Sequence, residues 1–183
     1  MILQGSMTAL ATPFRQGKLD EGAYAALIEY QLSNGTSGLI PMGTTGEAAT
    51  MSSAERRRAI ELCVQVNKGR AKVFAGAGSC STADTIEAVG VARELGADGA
   101  LVVTPYYNKP TQVGLVEHYR LVARAHCGFP LMVYNVPGRT GVDLLPATVQ
   151  RLCDIQEVVA LKEGRRISGS ARPAAARPVG NVR

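Results

Sequence analysis

Tryptophan is missing from this sequence, and with three phenylalanines and six tyrosines only 5% of the residues are aromatic. Aliphatic side chains must therefore fill most of the core, and no aromatic platform for stacking nucleic-acid bases can be assembled. Histidine occurs only at His118 and His126, in one helical segment without an acid or nucleophile pattern beside it, so both read as structural or solvated. The four cysteines, Cys63, Cys80, Cys127 and Cys153, lie far apart, with no C-x-x-C pair and no histidine at metal-ligand spacing; reduced thiols are expected and a metal site is not. No run of about 18 apolar residues occurs, and the first ten residues, MILQGSMTAL, lack a charged segment followed by an apolar one. Neither a membrane span nor a secretory leader is expected, which places the chain in the cytoplasm. Acidic residues are absent from the last twenty positions, where five arginines (165, 166, 172, 177 and 183) account for the whole net charge of +5. The rest of the chain is neutral, so the basic balance does not point to a nucleic-acid partner.

What the sequence does contain is an alternation. Short apolar runs stand at 7–14, 38–43, 72–78, 99–105, 130–137 and 157–163, each bounded by Gly or Pro and apolar nearly throughout, the pattern of parallel strands covered on both faces. Helical segments with readable starts lie between them. Asp20 precedes EGAYAALIEYQL, Ser52 with Glu55 forms a capping-box pattern, Ser81 with Asp84 a weaker variant, and TQVGLVEHYRLVARAHC and LLPATVQRLC supply two more. Gly35, Gly69, Gly96 and Gly128 fall where helices should stop. Strand starts recur every 27 to 34 residues, the length of one βα unit.

Six strands and five helices in strict alternation imply a parallel α/β architecture, either an open doubly wound sheet or a (β/α)₈ barrel. The first βα loop holds no G-x-G-x-x-G, and polar residues gather at the C-terminal ends of nearly all strands, as on a barrel's catalytic rim. A barrel is favoured, although about six units cannot close eight strands.

The candidate residues come from that rim. Lys162 follows four apolar residues in VVALKE; burial there would lower its pKa, and a neutral amine can attack a ketone to form a Schiff base that serves as an electron sink. A lysine extending to solvent, or one paired with Glu163, would give the same string. GTTGE, residues 43–47, offers backbone N–H groups and two hydroxyls ahead of a helix, fit for a carboxylate or phosphate, or simply for a tight turn. It lacks a P-loop lysine, so nucleotide binding is not expected. Tyr106 and Tyr107 follow a proline in a loop, and Tyr134 ends a strand. A tyrosine needs a hydroxyl relay or a nearby cation to move protons at neutral pH, and Thr44 or Thr45 could be that relay. Arg139, between Gly138 and Thr140, could hold a carboxylate bidentately or make a surface ion pair.

Taken together, GSMTALATPF, GTTGEAAT, VTPYYNKPTQ, YNVPGRTG and ALKE, in this order and spacing from about Gly5 to Glu163, closely resemble the 4-hydroxy-tetrahydrodipicolinate synthase (dihydrodipicolinate synthase) family. The resemblance implies a (β/α)₈ TIM barrel followed by helices, homotetramers built from tight dimers, and a lyase that condenses pyruvate with L-aspartate 4-semialdehyde in diaminopimelate and lysine biosynthesis without a cofactor or a metal. It implies Lys162 as the Schiff-base lysine, Tyr134 as the proton-transfer residue, and Thr44 as a relay to Tyr107, which reaches in from a neighbouring subunit. Thr45 would bind the pyruvate carboxylate and Arg139 that of the semialdehyde. Related pyruvate-dependent aldolases, such as the N-acetylneuraminate lyase type, share the lysine, the tyrosine and a GTTGE-like loop; the arginine of VPGRTG and the second tyrosine of PYYNKP favour the synthase. Feedback inhibition by lysine is not implied, because Ser53, Arg56 and Cys80 replace polar residues of sensitive members, although Tyr106 is retained.

After Glu163 the pattern departs. GRRISGSARPAAARPVGNVR matches nothing in the family and has a composition suited to disorder. Residues 1–163 are expected to form a partial barrel of strands one to six, and residues 164–183 a basic tail behind a shifted reading frame. Apolar edges and half of the interior face should then meet water unless a partner covers them, which leaves a non-catalytic remnant as the alternative to an active synthase.

Overall fold

In a computed structural model, residues 3–165 form a curled parallel sheet backed by helices. Six strands lie side by side in the order β1 (Met7–Ala9), β4 (Gly38–Ile40), β5 (Lys72–Gly76), β6 (Gly99–Val103), β7 (Leu131–Asn135) and β8 (Val158–Glu163). Each pair is parallel, and the six strands lie side by side in the order in which the chain forms them, the arrangement of a barrel wall rather than of a doubly wound sheet, whose strand order reverses. The connections run through α1 (Glu21–Ser33), α2 (Ser53–Asn67), α3 (Thr82–Glu94), α4 (Gln112–Ala125) and, between β7 and β8, α5 (Pro137–Thr140) and α6 (Pro146–Leu152). The barrel lineage expected from the sequence is therefore present as an open, six-stranded part. The tail beyond Arg165, and with it the expected disorder, lies outside the described residues.

The capping signals mark where the helices begin. Asp20 accepts the Ala23 N–H, Ser52 and Glu55 complete a reciprocal capping box, and Ser81 and Thr111 cap α3 and α4. Gly35, Gly69, Gly96 and Gly128 all take positive φ at helix ends. The first apolar run is shorter than expected as a strand. Pro13 has no N–H for a ladder, and beyond it Phe14–Arg15 (β2) and Lys18–Leu19 (β3) form a small antiparallel hairpin. Its tip, Gln16-Gly17, has two successive positive φ angles, 52° and 75°, which match the twist of a two-residue hairpin.

Two apolar layers result. Between sheet and helices, Leu39, Val73, Ala75, Ala100, Val102, Leu131 and Val133 meet Tyr24, Ile28, Cys63, Val89, Leu115 and Tyr119. Tyr119 is fully buried and donates its hydroxyl to Val102 O at 3.1 Å, so its polar end is satisfied inside the core. On the concave face, Ile40, Phe74, Leu101 and Met132 are at most 5% exposed. The expectation that half of the interior would meet water holds in part: in the middle strands the inward-facing side chains cover one another, as they fill the interior of a small barrel, whereas Met7, Val103, Val159 and Ala160 stay only partly buried. Coverage on both faces does fail at the ends of the sheet. β1 is only half-buried, and Leu161 of β8 is 41% exposed because no helix follows it among the described residues.

His118 lies within the helical layer with its Nδ1 2.9 Å from Thr82 Oγ1 and no partner for Nε2 among the described residues. Burial pushes its pKa down to about 4. An unfolded histidine, with a pKa near 6.5, binds the proton that the folded one refuses, so stability is intact above pH 6.5 and falls as the pH drops toward 4. The loss approaches about 3 kcal/mol. Urea unfolding at pH 7 and pH 4 should show a smaller acid penalty for His118→Gln than for the wild type; equal penalties would remove His118 as the cause.

Candidate active site

The rim at the C-terminal ends of the strands is where the chain departs from regular backbone. After β4, Met42 takes φ 57°, and GTTGE holds a short 3₁₀ turn, Thr44–Gly46, which Glu47 at φ 57° joins to a second one, Ala48–Thr50. Gly46 N–H donates to Gly43 O and Glu47 N–H to Thr44 O, while Thr12 Oγ1 donates to Gly46 O at 2.7 Å and ties the loop to the segment after β1. The sequence places this loop ahead of a helix, yet it does not sit at the N-terminus of α2. The second 3₁₀ turn and Met51 intervene, and the first turn of α2 is already capped by Ser52 and Glu55. Any anion at GTTGE must meet the loop's own N–H groups and hydroxyls, not the end of α2.

After β7 the chain enters α5 with Pro137 at its first position, and the buried Thr140 donates its hydroxyl to Val136 O and Val142 O. This braced turn presents Arg139 on the exposed side. The loop after β6 packs against it: Tyr107 N–H donates to Thr140 O at 3.4 Å. Asn108 Nδ2 donates to Cys80 O at 3.0 Å. Tyr107 itself has φ 73° and is 90% exposed, an aromatic ring held away from its own domain by a backbone conformation that costs energy.

Between these loops lies a cavity of about 430 Å³ lined by Thr44, Glu47, Tyr106, Tyr134, Arg139 and apolar residues of the β-strand ends. Tyr134 is buried and pairs across the sheet with Lys162. Lys162 Nζ stands 4.5 Å from the centre of the Tyr134 ring. The lysine is half-buried, and burial first, with the Arg139 guanidinium second, holds its pKa below that of an ordinary lysine. A lowered pKa raises the fraction of free amine at neutral pH. Among the described residues it makes no ion pair with Glu163, which leaves the pairing reading without support.

The structure thus gathers Thr44, Tyr134 and Arg139 around one cavity with Lys162 against the ring of Tyr134. Lys162, Thr45 and Tyr107 do not themselves line that cavity, and among the described residues no hydrogen bond joins Thr44, Tyr107 and Tyr134. Sequence reasoning missed a polar cluster directly behind the site. Asn135, fully buried, donates its amide to Asp143 at 2.8 Å and to Glu163 at 3.0 Å and accepts the Leu144 N–H. Arg165 joins Asp143 at 2.9 Å. The signal was in the period-two alternation, which puts Asn135 on the opposite face of β7 from Tyr134.

Comparison with known proteins agrees with the fold. The model of the dihydrodipicolinate synthetase family matches residues 2–171. The chain is 51% identical over 164 residues to 4-hydroxy-tetrahydrodipicolinate synthase of Nitratidesulfovibrio vulgaris, covering 89% of this chain and 56% of that protein. It is 55% identical over 163 residues to that of Citrifermentans bemidjiense, with 88% and 56% covered. Among solved structures, dihydrodipicolinate synthase from Thermotoga maritima superposes with a TM-score of 0.86 at 46% identity, covering 89% of this chain and 55% of that one. The chloride-inhibited enzyme from Acinetobacter baumannii, complexed with pyruvate, gives 0.86 at 45%, with 88% and 56% covered. The chain therefore spans little more than half the length of these relatives. With the partial barrel wall and these identities in agreement, the chain belongs to the dihydrodipicolinate synthetase family.

Proposed function

We propose that residues 1–163 constitute the part of a barrel that carries a Schiff-base site for pyruvate, and that the chain acts as a 4-hydroxy-tetrahydrodipicolinate synthase in lysine biosynthesis. The observation that carries this reading is the placement of Lys162 Nζ 4.5 Å from the Tyr134 ring, next to a cavity that Thr44 and Arg139 line. The free amine of Lys162 adds to the keto carbon of pyruvate and, as water leaves, forms an imine. The imine withdraws electrons so that a methyl proton can depart, and the resulting enamine attacks the aldehyde carbon of L-aspartate 4-semialdehyde. Tyr134 exchanges the protons, since its hydroxyl-bearing ring adjoins the amine. Thr44 extends the proton path toward Tyr107, whose exposed ring suits a site completed by a second copy in a tight dimer or homotetramer. Thr45 holds the pyruvate carboxylate and Arg139 the carboxylate of the semialdehyde, the planar guanidinium being fit for bidentate contact.

The test is borohydride reduction of the chain in the presence of pyruvate, followed by peptide mass analysis. A reduced pyruvyl adduct on Lys162 alone is the expected result. Adducts spread over the surface lysines, or none, would favour a non-catalytic chain.

A further inference from the structure

Among the described residues β8 is the last strand of the sheet, with a partner on one side only. A strand held by a single ladder is prone to slip, and a slip of one residue moves every side chain to the opposite face. The pairing of β7 with β8 contains such a step. It begins with Leu131 opposite Val158, but Met132 is opposite Ala160, so Val159 is the extra residue of a bulge. Had the first register continued, Tyr134 would face Leu161, and Lys162 would lie opposite Asn135 on the helix side of the sheet. The bulge is what brings Lys162 opposite Tyr134.

The strand end beyond the bulge is fastened to Asn135. Its Nδ2 donates to Glu163 at 3.0 Å and to Asp143 at 2.8 Å, its Oδ1 accepts the Leu144 N–H at 3.2 Å, and its backbone carbonyl accepts the Gly164 N–H at 2.7 Å. Asn135 has no exposed surface, so its amide has no water to fall back on, and losing either acceptor leaves a buried donor unpaired. The bond to Glu163 belongs to the shifted register, in which Asn135 and Glu163 are directly opposite. Glu163 adds a second clasp by accepting the Arg165 N–H at 2.7 Å. We propose that Asn135 and Glu163 are positioning residues, a register clasp that holds β8 in its bulged pairing and so keeps the Lys162 amine against Tyr134 on the concave face. Its consequence for chemistry rests on the Schiff-base reading of Lys162; the clasp itself does not.

The full chain and its Glu163→Ala, Glu163→Gln and Asn135→Leu variants test this by competitive labelling with acetic anhydride across pH, with exposed Lys18 and Lys68 as internal references, alongside pyruvate and borohydride trapping. Glu163 is exposed, so its variants should fold even where Asn135→Leu does not. In Glu163→Ala the labelling midpoint of Lys162 should rise toward the ordinary lysine range, and trapping at Lys162 should slow about tenfold, the effect of a small misplacement of a reacting group. Glu163→Gln, which keeps an oxygen acceptor for the Asn135 amide, should stay near the wild type in both readouts. An unchanged labelling midpoint in Glu163→Ala, or equal shifts in Glu163→Ala and Glu163→Gln, would overturn the clasp. If the wild-type chain labels as expected but traps no pyruvate, the Schiff-base reading falls, and the labelling series still decides the clasp.

Discussion

Lys162→Ala should eliminate pyruvate trapping altogether, because no other amine of the described residues shares its surroundings. The other lysines of the described residues with resolved contacts are of a different kind: Lys72, for instance, is paired with Asp98 at 2.6 Å on the surface. Imine formation needs the free amine, and the lowered pKa of Lys162 supplies more of it at neutral pH than an exposed lysine can. The trapping rate of the wild type should rise with pH and level off below the ordinary lysine range. Since burial is the larger cause and the Arg139 guanidinium the smaller, Arg139→Gln should move the trapping profile to higher pH without abolishing the adduct. Adduct formation in Lys162→Ala at the wild-type rate would show that the nucleophile lies elsewhere. The same linkage governs stability: a lysine whose folded pKa is depressed takes up its proton more readily when unfolded. The fold therefore loses stability as pH falls from the ordinary lysine range through the folded pKa of Lys162, and Lys162→Met should unfold at higher urea near pH 7 than the wild type does.

The second large effect is expected at Gly76→Ala. Gly76 ends β5, donates its N–H to Pro41 O at 2.9 Å and lines the cavity. A Cβ there would fall 1.9 Å from Met42 O and 2.5 Å from Met42 C. Both are backbone atoms of the loop that leaves β4 with a left-handed residue, so no side-chain rotation relieves the overlap. Either the end of β5 separates from the β4 loop or Met42 moves, and each alters the approach to Thr44. The cost should be about 3 kcal/mol or more, at the upper end for overpacking, which for a chain of this size lowers the melting temperature by roughly 6–12 °C. A melting temperature within about 2 °C of the wild type would mean that the loop gives way freely and that Gly76 is not required by this close approach.

Much of the site was legible because each rim residue sits at a strand end that its own flanking residues define. Lys162 after four apolar residues, Tyr134 before Asn-Val-Pro, and Arg139 between Gly138 and Thr140 could be placed from local signals alone, and the structure brings all three to one rim. Thr45 and Tyr107 could be placed on the same loops but not in the same cavity. Their side-chain directions follow from 3₁₀ turns and from the positive φ of Tyr107, which no periodicity announces. The alternation tells which face of β7 Asn135 takes, but its partners could not be read, for a related reason. Its partners, Asp143 and Glu163, lie 8 and 28 residues away along the chain; the return of the loop after α5 brings in the first and the β7–β8 register the second.

The sequence by itself determined the alternation of strands and helices, the helix starts at Asp20, Ser52, Ser81 and Thr111, and the stops at four glycines, because capping and periodicity act within a few residues. It also determined the rim candidates, since a parallel βα chain sends every strand end to the same side. Tertiary structure alone decided the rest. Whether the interior is covered depends on how far the sheet curls, and whether Lys162 meets Tyr134 depends on one extra residue in the β7–β8 ladder. Both are properties of strands meeting each other, and the energy that selects them is spread over residues far apart in the chain.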